Sequence, residues 1–313
     1  MHKQSIRKFS RRKGSISLSI IILLLFSFII ISTLLNKGIR FYGDSLYKSF
    51  EEEDLNKLWE DKKYSRIISI SEEVLTDNFL DLNYLCFNGF ANFYLGISQV
   101  SLEMKIPLIN QSIRSLLKAF ILSEGELKGD IAYVLGKAYY YKGHNYSDLT
   151  IKYLDIAIDE GYLGKDIYEF RGLAYYELGQ YRECINDFDL LPVERHSSEI
   201  NYIVSESYGK LGNYIKQNEI LVNIVETSSQ LEVKLDSRTD LATNYFDKGL
   251  YSLAIEQLNE VRKWRGDDYY VQYLLGKSLT LIGKKKEADI LFRKILRQKP
   301  GDKVVLSWLK RKG

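Results

Sequence analysis

Apolar side chains recur at spacings of three and four residues along most of the chain, which is the pattern of amphipathic helices. In residues 172–191, GLAYYELGQYRECINDFDLL, two such runs meet at Gly179. Glycine is typical of a helix stop, because it adopts the left-handed backbone conformation at the least steric cost. We therefore predict two helices joined by a tight turn, with Cys184 and Phe188 on the side where the helices meet.

The same pattern recurs with a period. Strings such as LGKAYYYKG and RGLAYYELG end at six glycines: Gly96, Gly143, Gly179, Gly212, Gly249 and Gly283. Successive glycines are 47, 36, 33, 37 and 34 residues apart, so four of the five intervals lie near 34. A period of this length indicates an array of helical hairpins, because one hairpin cannot bury its apolar face without a neighbour.

The repeats resemble the tetratricopeptide repeat (TPR). In the first stretch the matching residues are Gly172, Tyr175, Gly179, Tyr181, Cys184, Phe188 and Leu191. In the last repeat they are Gly276, Gly283, Ala288, Phe292 and Pro300. The resemblance implies an all-α fold, a right-handed solenoid of helical hairpins. The closing proline of the family occurs only once, so the turns between most repeats must be made by other residues.

The chain divides into five predicted segments. These are a basic tail at 1–15, a transmembrane signal anchor at 16–35, a juxtamembrane linker at 36–47, TPR-like repeats at 48–302 and a capping helix at 303–313. The seven repeats are predicted at 48–80, 82–123, 129–161, 165–195, 198–231, 235–266 and 269–302. Residues 97–108 form an insertion in the second repeat, which we interpret as longer helices. The alternative is an interaction loop.

Residues 16–35 are uncharged, and 15 of these 20 are Ile, Leu or Phe. A helix of this length spans about 30 Å, the thickness of a bilayer core. Six Lys and Arg precede it, so the N-terminus is predicted to be cytoplasmic and the repeats extracytoplasmic, or periplasmic in a bacterium with two membranes. A cleaved signal peptide, which would release a secreted soluble protein, is the alternative, although no Ala-x-Ala-like site follows.

The sequence lacks the patterns of common catalytic sites. It has three histidines, two widely separated cysteines and no nucleotide-binding, zinc-protease or nucleophile-elbow motif. Outside the basic N-terminus the remaining 38 Lys and Arg face 41 Asp and Glu, a balance that disfavours nucleic acid as a partner. We therefore predict no enzyme activity, no cofactor and no metal site.

Function is then predicted to be protein binding. The resemblance implies a groove lined by the first helix of each hairpin. The predicted groove residues are Phe90, Phe93, Tyr133, Lys137, Tyr140, Glu169, Tyr176, Tyr202, Tyr270, Tyr273 and Lys277. Aromatic residues suit protein interfaces, but the 24 tyrosines of the chain could equally fill repeat positions on an ordinary surface. We predict a membrane-anchored scaffold that holds a protein or peptide, and we expect Ala at Tyr133, Tyr140 and Tyr176 to abolish binding without unfolding the chain.

Overall fold

The computed structural model describes residues 54–162 and 164–310, and all regular structure in these residues is helical. The α-helices are α1 Leu55–Glu60, α2 Tyr64–Asp77, α3 Leu82–Ile97, α4 Leu102–Leu122, α5 Gly125–Lys142, α6 Ser147–Asp159, α7 Ile167–Glu177, α8 Tyr181–Asp189, α9 Ser198–Lys210, α10 Tyr214–Thr227, α11 Leu231–Asp247, α12 Tyr251–Arg262, α13 Tyr269–Leu281, α14 Lys285–Gln298 and α15 Lys303–Lys310. Short 3₁₀ helices lie at His144–Tyr146 and Val193–Arg195.

The chain falls into two units, Met1–Lys62 and Lys63–Gly313. The first unit contains α1, which Asp54 caps by accepting a hydrogen bond from the backbone N–H of Asn56 at 2.9 Å. The predicted tail, anchor and linker at 1–15, 16–35 and 36–47 lie outside the described residues. Within residues 54–162 and 164–310, each helix is too short or too polar to cross a bilayer.

The second unit is built from helical hairpins in which each helix packs against the next along the chain. The complete hairpins are α3–α4, α5–α6, α7–α8, α9–α10, α11–α12 and α13–α14. We call the first helix of each the A helix and the second the B helix. Consecutive A helices also contact one another, at the α3–α5, α5–α7, α9–α11 and α11–α13 junctions, and Tyr176 of α7 bonds to Glu206 of α9. The A helices therefore form one layer of the solenoid.

The turns within the hairpins follow the glycine pattern. Five of the six glycines, at positions 143, 179, 212, 249 and 283, have φ between +72° and +125°, so these predictions are confirmed. The prediction is wrong for Gly96, which lies inside α3, where its Cα faces Ile109 of α4. The turn that follows spans 98–101, and residues 102–108 of the insertion lengthen α4 to 21 residues.

Small side chains let the paired helices approach. Cys184 and Phe188 are buried and form a core cluster with Leu191 and Ile200, on the side predicted from the sequence. Cys86 is also buried, and burial raises the pKa of both thiols to about 11. Both cysteines therefore remain protonated at neutral pH and act as small apolar side chains.

The closest approach in the α5–α6 hairpin gives a test of this packing. A Cβ atom at Gly136 would lie 2.6 Å from Cγ and Cδ2 of Leu154, which is buried, and 3.2 Å from the carbonyl oxygen of Thr150. We expect Gly136→Val to destabilise the chain by about 1–3 kcal/mol, because the two helices must separate to admit the side chain. Urea unfolding followed by circular dichroism measures the change.

Gly301→Val is the matched control, because no heavy atom lies within 4 Å of its Cβ position. Equal unfolding midpoints for the two variants would contradict the packing at Gly136.

Candidate functional site

The candidate site is the exposed surface of the A-helix layer, which we call the A-helix face. Each predicted groove residue lies on an A helix. They are Phe90 and Phe93 on α3, Tyr133, Lys137 and Tyr140 on α5, Glu169 and Tyr176 on α7, Tyr202 on α9, and Tyr270, Tyr273 and Lys277 on α13. Apart from Phe93, these side chains are half-buried or exposed.

Phe93 must be removed from the set of candidate binding residues. Its side chain is only 1% exposed and lies within the core of the first hairpin, where its ring packs against Tyr94 at 5.3 Å and Tyr141 at 6.1 Å. The reason is that α3 contacts α2, α4 and α5, so it buries more than one stripe of side chains. Phe93 therefore supports the fold and is inaccessible to a partner.

The α5–α7 junction carries a polar triad. The hydroxyl of Tyr133 donates a hydrogen bond to Oδ1 of Asp166 at 2.6 Å. Nζ of Lys137 donates to Oδ2 of Asp166 and to the Tyr133 hydroxyl oxygen, both at 2.9 Å. All three side chains are half-buried, and the triad joins one hairpin to the next. Two of the predicted groove residues thus hold the solenoid together.

Aromatic rings surround this triad. Nζ of Lys137 lies 4.9 Å from the ring centre of Tyr133 and 4.5 Å from that of Phe170. Tyr140 packs edge-on against Phe170 at 5.0 Å, and Tyr162 stacks on Tyr133 at 4.2 Å. Cation–π contacts of this kind are worth about 0.5–2 kcal/mol. The rings are thereby fixed in orientation before any partner arrives.

The central part of the face is acidic. Across the α7–α9 junction, the hydroxyl of Tyr176 donates to Oε2 of Glu206 at 2.7 Å. Across the α9–α11 junction, the hydroxyl of Tyr202 donates to Oδ2 of Asp240 at 2.8 Å. Glu169, in contrast, pairs with Nη1 of Arg195 at 2.6 Å. Within the described residues, no Lys or Arg forms a salt bridge with Glu206 or Asp240.

The C-terminal part of the face repeats the aromatic arrangement of the N-terminal part. Nζ of Lys277 lies 4.4 Å from the ring centre of Phe246, 5.2 Å from that of Tyr273 and 5.6 Å from that of Trp308. Tyr273 stacks on Tyr269 at 5.9 Å. Helix α15 supplies Trp308, so it completes this cluster at the end of the array.

Tyr270 is the most exposed of the predicted aromatic residues on this face. It is 42% exposed, and its hydroxyl lies 2.9 Å from Oγ1 of Thr243 on α11. Its ring is therefore open to a partner while its polar end is tied to the preceding hairpin.

The pKa values of two half-buried carboxylates, Asp166 and Asp240, shift in opposite directions. Desolvation raises the pKa of Asp166, but the hydrogen bonds from Tyr133 and Lys137 outweigh it, so the net pKa is lowered. Desolvation raises the pKa of Asp240 to about 6, and the nearby charges of Glu206 and Asp236 add to this rise. The two pKa values differ because Asp166 accepts a hydrogen bond from the cation Lys137. Among the described residues, Asp240 accepts one only from the Tyr202 hydroxyl, and Lys210 acts on it from a greater distance.

The hydroxyls also change the expected effect of alanine substitutions. Because Tyr133 and Tyr176 bond across hairpin junctions, Ala at these positions also removes contacts between hairpins, and we expect it to lower the stability of the fold as well as to change the surface. Sequence reasoning missed Phe170 as the partner of Tyr140 and Lys137, Arg195 as the partner of Glu169, and Asp240 as the partner of Tyr202. The sequence signal for the tyrosine–carboxylate bonds is the separation of the partners along the chain, which is close to the repeat period. It is 33 residues for Tyr133–Asp166, 30 for Tyr176–Glu206 and 38 for Tyr202–Asp240.

Comparison with known proteins supports the fold. No protein-family model matches the sequence, and no curated protein is similar to it in sequence. Solved structures do match. The C-terminal part of a TPR repeat-containing protein from Cytophaga hutchinsonii superposes with a TM-score of 0.58 at 14% identity, covering 82% of this chain and 98% of the other.

Two further structures are similar over most of this chain. The apo quorum sensor NprR from B. thuringiensis has a TM-score of 0.52 at 13% identity, covering 83% of this chain and 80% of the other. The Naa15/Naa10 complex bound to HypK-THB has a TM-score of 0.50 at 17% identity, covering 82% of this chain and 37% of the other. The described part of the chain therefore has the fold of a TPR-like α-solenoid. At these identities the likeness establishes the fold alone.

Asp240 gives a pH-dependent test of the site. Its folded-state pKa of about 6 lies above the reference value of 3.8, so the folded state holds the proton more tightly and gains stability as the pH falls from about 6 to 4. At pH 7.5 we expect Asp240→Asn to stabilise the chain by about 1 kcal/mol, because the amide carries no buried charge. The gain should disappear near pH 4, where Asp240 is neutral.

Thermal unfolding at both pH values measures this difference. Asp247→Asn, at an exposed position of the same helix, controls for the amide substitution itself. A stabilisation by Asp240→Asn that is the same at pH 7.5 and pH 4 would rule out the buried charge as its cause.

Proposed function

We propose that this chain is a binding scaffold, in which the A-helix face holds a segment of another protein and residues 16–35 anchor the solenoid to a membrane. The observation that supports binding most directly is the arrangement of Tyr133 and Phe170 around Lys137, and of Phe246 and Tyr273 around Lys277. These rings are partly exposed and already held by contacts with their neighbours. Rigid aromatic side chains bind with little loss of conformational entropy, which favours protein recognition.

The mechanism is binding without chemistry. The described residues hold no group of three or more His, Cys, Asp or Glu side chains that could bind a metal ion. The groups of the A-helix face with the most strongly raised pKa values include Tyr133, Tyr202 and Asp240. Each takes part in a tyrosine–carboxylate bond across a hairpin junction, so these pKa shifts have a structural cause. We accordingly assign no catalytic step, cofactor or nucleic acid to the chain.

Membrane anchoring rests on the N-terminal sequence. Six cations precede an uncharged segment of 20 residues, and the charge asymmetry favours a cytoplasmic N-terminus with the solenoid on the extracytoplasmic side. The alternative remains a cleaved signal peptide and a secreted carrier or effector. The two differ in whether the scaffold stays attached to the membrane.

Site-specific photocrosslinking tests the binding face. A benzoyl-phenylalanine at Tyr270 on α13 should crosslink to a discrete protein partner in native membranes, because this ring is 42% exposed on the A-helix face. The same substitution at Tyr214, which is 48% exposed on the B helix α10, is the matched control. Equal crosslinking from both positions would contradict a binding site on the A-helix face.

Membrane attachment is tested separately. The full chain should remain in the membrane fraction after alkaline carbonate extraction, and a variant lacking residues 16–35 should be released, because this segment supplies the apolar surface for insertion. N-terminal sequencing of the mature protein decides between the two alternatives. A chain that begins after about Gly38 would identify a cleaved signal and end the anchor proposal.

A further inference from the structure

A second exposed surface lies at one end of the first hairpins, around the connections from α2 to α3 and from α4 to α5. Five large apolar side chains protrude there: Phe79 is 61% exposed, Leu80 46%, Ile121 81%, Leu122 41% and Leu127 37%. We call these five residues the end patch. Clusters of this kind mark interaction sites, because isolated exposed apolar residues are ordinary but groups of them are not.

Chain topology brings the five residues together. Phe79 and Leu80 lie in the connection from α2 to α3, directly before α3 begins at Leu82. Ile121 and Leu122 end α4, which packs antiparallel to α3, so the start of α3 and the end of α4 are at the same end of the hairpin. Leu127 lies in the first turn of α5, which packs on α4.

The fold does not require these side chains for its core. Phe120 performs the packing role in the last turn of α4, where its ring contacts Tyr153 edge-on at 5.6 Å. The adjacent Ile121 is 81% exposed. An exposed Ile at this position gains nothing from burial within the chain, so its apolar surface is available to a partner.

Acidic residues border the end patch. Asp77, Asp81, Glu124, Glu126 and Asp130 stand beside it, against the two lysines Lys118 and Lys128. Lys128 is engaged within the chain, with Nζ 5.2 Å from the ring centre of Phe120 and 4.0 Å from Oε1 of Glu160. Burial and the charge of Glu126 raise the pKa of Asp130, consistent with a locally negative surface.

The acidic residues around the end patch distinguish it from another exposed apolar side chain, Trp264, which follows the end of α12. Trp264 is 66% exposed, but it stands between Lys263 and Arg265. An apolar surface with an acidic border repels anionic lipid headgroups and complements a segment that combines apolar side chains with Lys and Arg.

We propose that the end patch docks an amphipathic basic helix of a partner protein. The apolar stripe of this helix covers Phe79, Ile121 and their neighbours, and its flanking Lys or Arg side chains face the acidic border. This is the helix-in-groove mode of recognition, with charge complementarity setting the preference for the partner. The end patch contains none of the predicted groove residues, so variants of the end patch test this proposal separately from binding at those residues.

The test uses the full chain in lipid nanodiscs and three synthetic peptides of about 18 residues, long enough to form a helix. One peptide combines Leu and Lys in an amphipathic pattern, the second Leu and Glu, and the third Ser and Lys. An environment-sensitive dye on Lys118→Cys, one turn before Leu122, reports binding. The buried Cys86 and Cys184, whose pKa values are raised to about 11, do not compete for the dye.

The Leu/Lys peptide should bind more tightly than either of the others. The double variant Phe79→Gln, Ile121→Gln should weaken it at least about tenfold, because two apolar contacts are lost. Glu124→Lys with Glu126→Lys should weaken it similarly by charge repulsion. Ile215→Gln and Ile290→Gln, at positions 79% and 68% exposed on B helices, should leave it unchanged.

Four results would overturn the proposal. If the Ser/Lys peptide bound as tightly as the Leu/Lys peptide, charge alone would explain binding and the apolar contact would be excluded. If the Leu/Glu peptide bound as tightly, the proposed preference for a basic partner would be excluded. Unchanged Leu/Lys binding in the Phe79→Gln, Ile121→Gln variant would place the site elsewhere. Self-association of the chain that this variant abolishes would assign the end patch to a second copy of the protein.

Discussion

The structure depends on one constraint: no helical hairpin of this chain can bury its apolar face alone. Each hairpin is closed internally by tight packing, as at Gly136 against Leu154, and is covered externally by the next hairpin. Contacts are therefore mostly between neighbours in sequence, and the fold is a sum of hairpins and junctions. The surface that the solenoid offers to a partner is set by how these junctions are made.

Tyrosine–carboxylate hydrogen bonds join neighbouring hairpins at three junctions of the A-helix layer. Tyr133 bonds to Asp166, Tyr176 to Glu206 and Tyr202 to Asp240, each across one junction. A tyrosine in such a bond has its ring held in place and its hydroxyl satisfied. The partner then meets fixed rings and does not have to order them, which lowers the entropic cost of binding.

Charge varies along the same layer. Lys137 and Lys277 lie among aromatic rings, whereas Asp240 between them is half-buried without a salt bridge to a cation in the described part of the chain, and its pKa rises to about 6. A segment lying along the A-helix face would therefore meet different charge environments in order. This asymmetry can fix the direction and register of a bound segment, because electrostatic complementarity sets specificity more than affinity.

The period of the sequence predicted the helices, the order of the hairpins and the glycine turns, because these depend on local patterns. It failed at Gly96, where a longer α4 moves the turn, and at Phe93, where three helices surround α3. The repeat period indicates which positions could meet across a junction, but it does not assign the individual Tyr–carboxylate bonds. Partners 30 to 38 residues apart meet only at a particular offset between hairpins, which local periodicity does not specify. The end patch likewise emerges only when α3 and α4 are paired.

The most direct test of this account is a double-mutant cycle at the α7–α9 junction, with Tyr176→Phe and Glu206→Gln measured singly and together by urea unfolding. The hydroxyl of Tyr176 and Oε2 of Glu206 are 2.7 Å apart, so the account predicts a coupling energy of about 1 kcal/mol. Strictly additive effects of the two substitutions would show that the side chains do not interact, and would contradict the claim that these bonds join the hairpins.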